Sequence, residues 1–241
     1  MRNTALALLR HMGMDFSRNG SGETNGFLLD MSRMWELYLE GLFRRRQPEG
    51  IQILAQEDGS YYPIYPVLSD MEPKTGRRQF KPDFLWKDGE DTPLIADAKY
   101  KSSWSDILEW ELVKGKDRET LEKEKRKEYK GLSEWKPWRR PAVREDVFQV
   151  LAYMYTLNCS RGLIICPVRA DKCHYSGEPL QYAVSTQREA DRFCLLGLSI
   201  PSAESYDDFL KEMKKSEDNF LDQISTLRVS IKGPQDLRIS L

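Results

Sequence analysis

The sequence has no long apolar run, few cysteines, few histidines and almost no net charge. None of its apolar stretches approaches the roughly 20 residues of a membrane-spanning helix. Its four cysteines and two histidines do not follow disulfide-framework or zinc-finger spacing. Its 37 basic and 38 acidic residues give a formal net charge of −1, so the chain as a whole is not built to bind polyanions. These absences predict no membrane partner and favour a reducing, cytoplasmic location.

The composition is that of a globular α/β protein. Hydrophobic residues make up 40% and charged residues 31% of the 241 residues, which is typical of a folded domain. Helical and strand patterns alternate along the chain and predict one mixed α/β domain over residues 1–241, with a mixed central sheet flanked by helices. Within it, residues 1–25 are predicted to be an N-terminal helix and linker, and residues 102–144 a charged, Trp-rich insertion.

Periodicity and turn residues locate the individual elements. The spacing of Met31, Trp35, Tyr38 and Leu42 predicts the first helix of the core. Asp88-Gly89 is a turn signal between two strand-like segments and predicts a hairpin. The predicted elements are a helix in 27–46, a strand in 50–56, the hairpin strands 82–87 and 93–101, a helix over 144–158, strands over 161–168 and 192–200, and a closing helix over 203–226.

Two opposite charges interrupt the apolar stretch "PLIADAKYK", residues 93–101. Asp97 and Lys99 are two residues apart, so on a strand their side chains point to the same side. Asp83 precedes the other strand of the predicted hairpin and can approach Asp97 near its open end. Two adjacent carboxylates repel each other unless a cation lies between them, and such hard oxygen ligands suit Mg²⁺ or Mn²⁺. The pattern therefore predicts a metal site with a lysine beside it.

An ordinary ion pair at a strand end is the alternative explanation of Asp97 and Lys99. Asp-x-Lys alone is a weak signal, because surface ion pairs of this kind are common. The combination of Pro82-Asp83, a turn, and an apolar strand that carries Asp97 and Lys99 is more specific and favours the metal site.

The segments "KPDFLW" and "LIADAKYK" resemble the PD-(D/E)xK nuclease superfamily. With "DVFQVLAYMY", "GLIICPV" and "GFLLDMSRMWELYLEGLF", residues 26–170 are similar to the McrC-like nucleases of McrBC restriction systems. The resemblance implies a restriction-endonuclease-like core, Mg²⁺-dependent DNA cleavage in defence against foreign DNA, and an AAA+ GTPase partner of the McrB type.

The same resemblance assigns roles to individual residues. It implies that Asp83, Asp97 and Glu36 are metal ligands and that Lys99 is the catalytic lysine. A further motif of the family, Gln-x-x-x-Tyr, falls on a predicted helix and places two more residues in the site, Gln149 and Tyr153.

A basic, aromatic segment separates the predicted catalytic strand from that helix. Residues 114–145 hold twelve Lys or Arg against seven Asp or Glu. Cations with interleaved aromatic rings suit phosphate contacts and base stacking. A solvated helix is the alternative, and it is favoured for 118–130. The residues predicted to contact DNA are Lys101, Trp135, Trp138, Arg139 and Arg140.

Several alternatives stay open at the level of the sequence. A DNA repair or structure-selective nuclease of the same superfamily fits the motifs as well as a restriction nuclease does. A non-catalytic DNA-binding or assembly module on this fold is a further alternative, although Asp83, Asp97 and Lys99 are all present. Most of the region that engages the GTPase in McrC proteins is expected to have no counterpart here. Three alternatives therefore stay open: a stand-alone nuclease, a fragment, or a subunit that docks differently.

Overall fold

The computed structural model describes the central part of the chain with several gaps. The described residues are 30–46, 52–55, 62–63, 79–80, 82–88, 91–113, 116–128, 136–170, 175, 177–184 and 191–229. Their helices and strands all belong to one unit, residues 31–241. The predicted helix and linker of residues 1–25 lie outside the described part.

Helices and strands alternate in the order that the sequence predicts. The helices are α1 (Met31–Arg45), α2 (Ser102–Leu112), α3 (Lys116–Glu128), α4 (Pro141–Thr156) and α5 (Tyr206–Val229), with a 3-10 turn at Pro137–Arg139. The strands are β1 (Gln52–Ala55), β2 (Tyr62–Pro63), β3 (Gln79–Phe80), β4 (Phe84–Asp88), β5 (Asp91–Ala98), β6 (Arg161–Arg169), β7 (Leu180–Ala183) and β8 (Arg192–Ile200).

A mixed sheet forms the centre of the fold. In the described part of the chain it has six strands in the order β1-β4-β5-β6-β8-β7. The hairpin β4–β5 and the pairs β1–β4 and β7–β8 are antiparallel, whereas β5–β6 and β6–β8 are parallel. The predicted hairpin is therefore confirmed, and the parallel pairing places the carboxyl ends of β5, β6 and β8 at one edge of the sheet.

Helices cover both faces of this sheet. Leu94 and Ala96 point to a core that α1 and α5 complete, whereas Ile95 points to a second core made with α2 and α4. This alternation follows from the two-residue repeat of a strand that is buried on both faces. The predicted mixed α/β fold with helices on both sides of the sheet is confirmed.

The buried face of the first core helix is rotated about the helix axis relative to the predicted apolar face. Trp35, Leu39, Leu42 and Phe43 are buried, whereas Met31 is 44% exposed. Leu39 and Phe43 complete the buried face because they follow Trp35 at intervals of four residues. The helix itself was predicted correctly.

The segment predicted to be an insertion contains two helices of different character. Trp104, Ile107 and Leu108 of α2 are fully buried against the sheet. Helix α3 is highly charged, as its sequence predicts, and Leu121 is its buried apolar side chain. Helix α2 is thus part of the core. None of the described helices is both long and apolar enough to cross a membrane.

A glycine brings α4 unusually close to the sheet. A Cβ atom placed on Gly162 of β6 would lie 2.3 Å from Val150 Cγ1 and 2.6 Å from Met154 Sδ. Real Cβ atoms do not approach other heavy atoms this closely, so a larger residue would push the helix outward. Gly162 pairs with Ile95 of β5, and two residues further along β6, Ile164 pairs with Asp97. The close approach therefore sets the distance between α4 and the charged end of β5.

Candidate active site

The two predicted carboxylates meet at the end of the β4–β5 hairpin. Asp83 and Asp97 are both buried, with 6% and 1% exposure. Asp83 is held by the backbone amide of Ala98, which donates to its Oδ2 at 2.7 Å. Burial, together with the charge of Asp97, raises the pKa of Asp83 to about 8. The pair therefore retains a proton near neutral pH when no cation is bound between the carboxylates.

Lys99 completes this group on the same side of the strand. Its Nζ lies 2.5 Å from Asp97 Oδ2 and 3.2 Å from Gln149 Oε1. The short contact with Asp97 is a buried ion pair. Burial alone would lower the pKa of Lys99, but the surrounding carboxylates of Asp97, Asp146 and Asp83 raise it above its usual value. The ammonium is thus fully charged at neutral pH.

Helix α4 contributes the two residues of the Gln-x-x-x-Tyr motif. Gln149 accepts a hydrogen bond from Lys99 through Oε1, and its Nε2 donates to the Tyr153 hydroxyl at 2.7 Å. The two residues are four positions apart, hence neighbours on one side of the helix. The structure therefore brings Asp83, Asp97, Lys99, Gln149 and Tyr153 into one connected group.

The carboxylate pair fits a divalent cation as two of its ligands. The buried carboxylate of Asp97 lies beside that of Asp83, whose pKa is raised by burial and by the charge of Asp97. A hard cation would satisfy both groups at once. Within the described residues, no three His, Cys, Asp or Glu side chains are grouped closely enough to hold a metal ion. The protein thus offers two ligands here.

Glu36 lies near this pair but is not grouped with it. It is half-buried on α1 and forms an ion pair with Arg33, with 3.0 Å between Nη1 and Oε2. After burial and Asp97, the charge of Glu36 also raises the pKa of Asp83. In this arrangement Glu36 acts on the site through its charge.

The residues predicted to contact DNA have internal partners instead where their side chains are described. Lys101 donates to both oxygens of Asp146, at 2.8 and 3.0 Å. Arg140 Nη1 lies 3.4 Å from Asp106 Oδ2. Trp138 donates to Glu111 at 2.8 Å and packs edge-on against Tyr182.

These contacts argue against the predicted base stacking by Trp138, because the ring that would stack on a base is already packed against protein. Trp135 and the side chain of Arg139 lie outside the described residues, so the prediction for them stands as made. Lys101 is 42% exposed and could reach a phosphate after leaving Asp146.

Two buried acidic residues of the region were missed by sequence reasoning. Asp146 accepts hydrogen bonds from Lys101 and from the indole of Trp104. Asp106 accepts from Lys125 at 2.6 Å and ties α3 to α2. The usable signal for Asp146 was its position three residues before Gln149, which places both on one side of a helix. Asp106 carried no comparable signal, because its partners are distant in sequence.

A cleft of about 680 Å³ opens at the carboxyl ends of β5, β6 and β8. Its walls include Trp35 of α1, Tyr100, Lys101 and Arg169. Tyr100 and Lys101 directly follow Lys99 along the chain. The cleft thus adjoins the end of β5, whereas Asp83, Asp97, Lys99 and Gln149 are not among the residues that line it.

Together, the fold and the site define an α/β protein with a buried carboxylate pair and a lysine at the end of a central hairpin. A family model described as McrBC 5-methylcytosine restriction system component matches residues 3–117, slightly less than half of the chain. This match confirms the predicted resemblance to the McrBC family. It starts earlier and ends sooner than the predicted range of 26–170. It includes the carboxylate pair and Lys99, whereas Gln149 lies beyond it.

One similar solved structure contains the McrC protein of Thermococcus gammatolerans. It is a refined half-complex from the tetradecameric assembly of McrB AAA+ hexamers with bound McrC. The match has a TM-score of 0.43 and 16% sequence identity, and it covers 84% of this chain and 34% of that chain. The present chain thus spans about a third of the length of the chain that it matches. No curated protein matches the chain.

Proposed function

We propose that this chain is a Mg²⁺-dependent endodeoxyribonuclease of the McrC-like type, which hydrolyses phosphodiester bonds of foreign DNA in the cytoplasm. The observation that carries the proposal is the contact between Asp83, Asp97 and Lys99 at the end of β5, with Gln149 of α4 reaching the same lysine. An ion pair between Asp97 and Lys99 that only stabilised the fold would need neither the second buried carboxylate, Asp83, nor the side-chain amide of Gln149. The match to the restriction-system family supports the same conclusion.

Each residue of the site has a distinct role in this reaction. Asp83 and Asp97 would hold the ion through their carboxylate oxygens. A bound Mg²⁺ would lower the pKa of a coordinated water and neutralise charge on the phosphate. The ammonium of Lys99 stabilises negative charge that develops on the phosphate. Gln149 keeps Lys99 in place, and Tyr153 in turn keeps Gln149 in place through its hydroxyl.

Glu36 has a supporting role in this proposal. With DNA and an ion bound, release of Arg33 would free its carboxylate to add a third negative group toward the ion. Glu36 would then help Asp83 and Asp97 to hold the ion, because Mg²⁺ prefers carboxylate oxygens. Mn²⁺ would substitute because it accepts the same oxygen ligands.

An AAA+ GTPase of the McrB type is the proposed partner. The family model that matches residues 3–117 describes a component of the McrBC 5-methylcytosine restriction system. The test is whether cleavage by this chain increases when such a GTPase and GTP are added.

Cleavage and metal binding can be separated by two substitutions. We expect the wild-type protein to cleave plasmid DNA with Mg²⁺ and to lose activity with a chelator. Asp97→Asn should abolish cleavage and weaken Mn²⁺ binding in calorimetry, because it removes a ligand charge. Lys99→Met should reduce cleavage by about 100-fold or more yet leave Mn²⁺ binding in place, since Lys99 is not a ligand. Methylated, unmethylated and single-stranded DNA are compared in the same assay.

Matched controls come from the exposed surface of α3. Asp117→Asn and Lys123→Met are the same exchanges at exposed positions, and both should leave cleavage and metal binding unchanged. If Asp97→Asn binds Mn²⁺ with wild-type affinity, the metal site is wrongly assigned. If Lys99→Met cleaves at the wild-type rate, Lys99 is structural.

A further inference from the structure

Asp146 is a buried carboxylate beside the site that the proposed reaction does not yet use. It is 4% exposed and lies on α4, three residues before Gln149. Its oxygens accept hydrogen bonds from Lys101 at 2.8 and 3.0 Å and from Trp104 Nε1 at 2.8 Å. Its Oδ1 also lies 3.8 Å from Lys99 Nζ. One carboxylate thus contacts both lysines that follow Asp97 on the same side of the chain.

The core fixes the position of this carboxylate. Trp104, which donates to Asp146, is completely buried and packs edge-on against Trp138 with 6.1 Å between ring centroids. Val143 and Val147, which flank Asp146 on α4, are buried in the same core. Because the indole and the helix cannot move independently, Asp146 presents its charge to the lysines from a rigid support.

Helix α4 therefore offers Lys99 two acceptors from successive positions on one side. Gln149 Oε1 lies 3.2 Å from the ammonium and Asp146 Oδ1 lies 3.8 Å from it. Asp97, at 2.5 Å, attracts the same ammonium from β5. The ammonium thus stands between a proposed metal ligand and a second carboxylate that is too far from it for a full hydrogen bond but close enough for charge attraction.

We propose that Asp146 is a positioning residue, which holds the Lys99 ammonium in place from α4 and restrains Lys101 from contacting DNA. The proposal rests on the proposed nuclease function for its effect on cleavage, but its effect on the two lysines does not depend on that function. Lys101 is 42% exposed and already faces solvent, so loss of its partner releases a cation toward the DNA. Asp146 thus holds the catalytic Lys99 in place and, by binding Lys101, keeps Lys101 from contacting a phosphate.

Removal of the Asp146 charge should therefore change catalysis and DNA binding in opposite directions. We expect Asp146→Asn to lower kcat by about 10- to 100-fold, the range for residues that orient a catalytic group, without raising KM. The released Lys101 should steepen the dependence of log affinity on log salt by about 0.9, the increment for one phosphate contact on duplex DNA. Asp146→Glu, which keeps the charge, should recover part of kcat and the wild-type slope.

Glu145→Gln is the matched control. It removes the same charge from the neighbouring, exposed position of α4, and it should change neither kcat nor the salt slope. Binding is measured with a chelator present, so that no cleavage occurs. Loss of both kcat and affinity in Asp146→Asn, or wild-type values for both, would overturn the proposal. If Asp146→Asn does not fold, Asp146→Glu decides alone: the displaced carboxylate should lower kcat while KM stays unchanged, and an unchanged kcat overturns the proposal.

A spectroscopic measurement separates this proposal from the proposed function. In protein labelled with ¹⁵N-lysine, the ammonium signal of Lys99 is assigned by its loss in Lys99→Met. Asp146→Asn should shift this signal and speed its hydrogen exchange, whereas Glu145→Gln should not. An unchanged signal rejects the positioning role even if the protein cleaves DNA. A shifted signal in a protein that cleaves no DNA supports the positioning role while the nuclease function fails.

Discussion

At the scale of single residues, the site is a set of charges held close together inside the protein. Asp83 and Asp97 are buried side by side, and the pKa of Asp83 rises for that reason. Lys99 offsets part of the repulsion through its ion pair with Asp97. A fold that only needed stability would gain from removing one of these charges.

This arrangement predicts an unusual dependence of stability on pH in metal-free protein. Because burial and Asp97 raise the pKa of Asp83 from 3.8 to about 8 in the folded state, the folded protein binds a proton there that the unfolded chain releases. The contribution of Asp83 to stability is therefore fully present below pH 3.8 and is lost as pH rises to about 8. Asp83→Asn cannot ionise and keeps the acceptor for Ala98, so it should lack this loss.

Urea denaturation with a chelator tests the prediction. The free energy of unfolding of Asp83→Asn, relative to wild type, should increase from pH 5 to pH 8. Asp117→Asn, at an exposed position, should follow the wild-type curve. A constant difference between Asp83→Asn and wild type would show that Asp83 titrates as an ordinary aspartate in the folded protein.

The sequence alone did not reveal which basic side chains can contact DNA and which are paired with acidic residues. The clustering of basic residues before Gln149 predicted phosphate contacts, and the structure shows Lys101 bound to Asp146 and Arg140 near Asp106. Sequence spacing cannot show such pairs, because Lys101 and Asp146 are 45 positions apart. Because the acidic partner is buried, removal of its cation costs more than breaking a solvent-exposed pair.

At the scale of elements, the distance between α4 and β6 decides whether the site is assembled. Gln149 and Asp146 reach Lys99 only because Val150 and Met154 of the same helix pack directly over Gly162. Strand β6 pairs with β5 next to Asp97, so movement of α4 away from β6 also moves it away from the site. The strand and helix were both predicted from periodicity, whereas their close approach depends on tertiary packing.

Gly162→Ala should therefore destabilise the protein and disturb the site together. The added methyl group would clash with Val150 and Met154, and overpacking of this kind costs about 1–3 kcal/mol. Gly41→Ala is the matched control, because its added methyl group meets Arg45 Nη1 at an ordinary 3.6 Å. As a glycine-to-alanine exchange inside a helix, it should instead stabilise the protein by up to about 1 kcal/mol.

Chemical denaturation measures both variants, and plasmid cleavage is compared at a temperature where both are folded. Gly162→Ala should cleave more slowly than wild type, since Gln149 no longer holds Lys99 at its original distance. Equal stability and equal cleavage for Gly162→Ala and wild type would show that α4 does not depend on this close approach.

At the scale of the whole molecule, the formal net charge is −1, and several basic residues are paired with buried carboxylates. Lys101, Lys125 and Arg140 all contact buried aspartates. Each pair lowers the number of cations that the unliganded surface offers to phosphate. We therefore expect the isolated chain to bind duplex DNA with a shallow dependence on salt.

Arg140→Ala tests this expectation directly. Because Arg140 contacts Asp106, its removal should leave the slope of log affinity against log salt unchanged and should lower stability instead. Lys215→Ala, an exposed position on α5, serves as the control for removal of one positive charge. A slope that is flatter by about 0.9 in Arg140→Ala alone would show that Arg140 contacts a phosphate after all.

The sequence by itself determined the elements of this protein and indicated the charged residues that the structure brings together at the end of β5. Alternating apolar residues, turn signals and helical spacing are local properties, so the hairpin, α4 and the closing helix could be predicted from them. Asp97 and Lys99 could be recognised because two charges are unusual on an apolar strand. Pro82-Asp83 provided a second carboxylate, and the two carboxylates together predicted a metal site.

Only the tertiary structure decided which distant groups meet. Asp146 with Lys101 and Trp138 with Tyr182 both result from how helices pack on the sheet. Side-chain pairing of this kind depends on distances set by close packing, at Gly162 above all. Periodicity shows which side of an element is buried, but the residue that this side contacts is determined when the elements pack together.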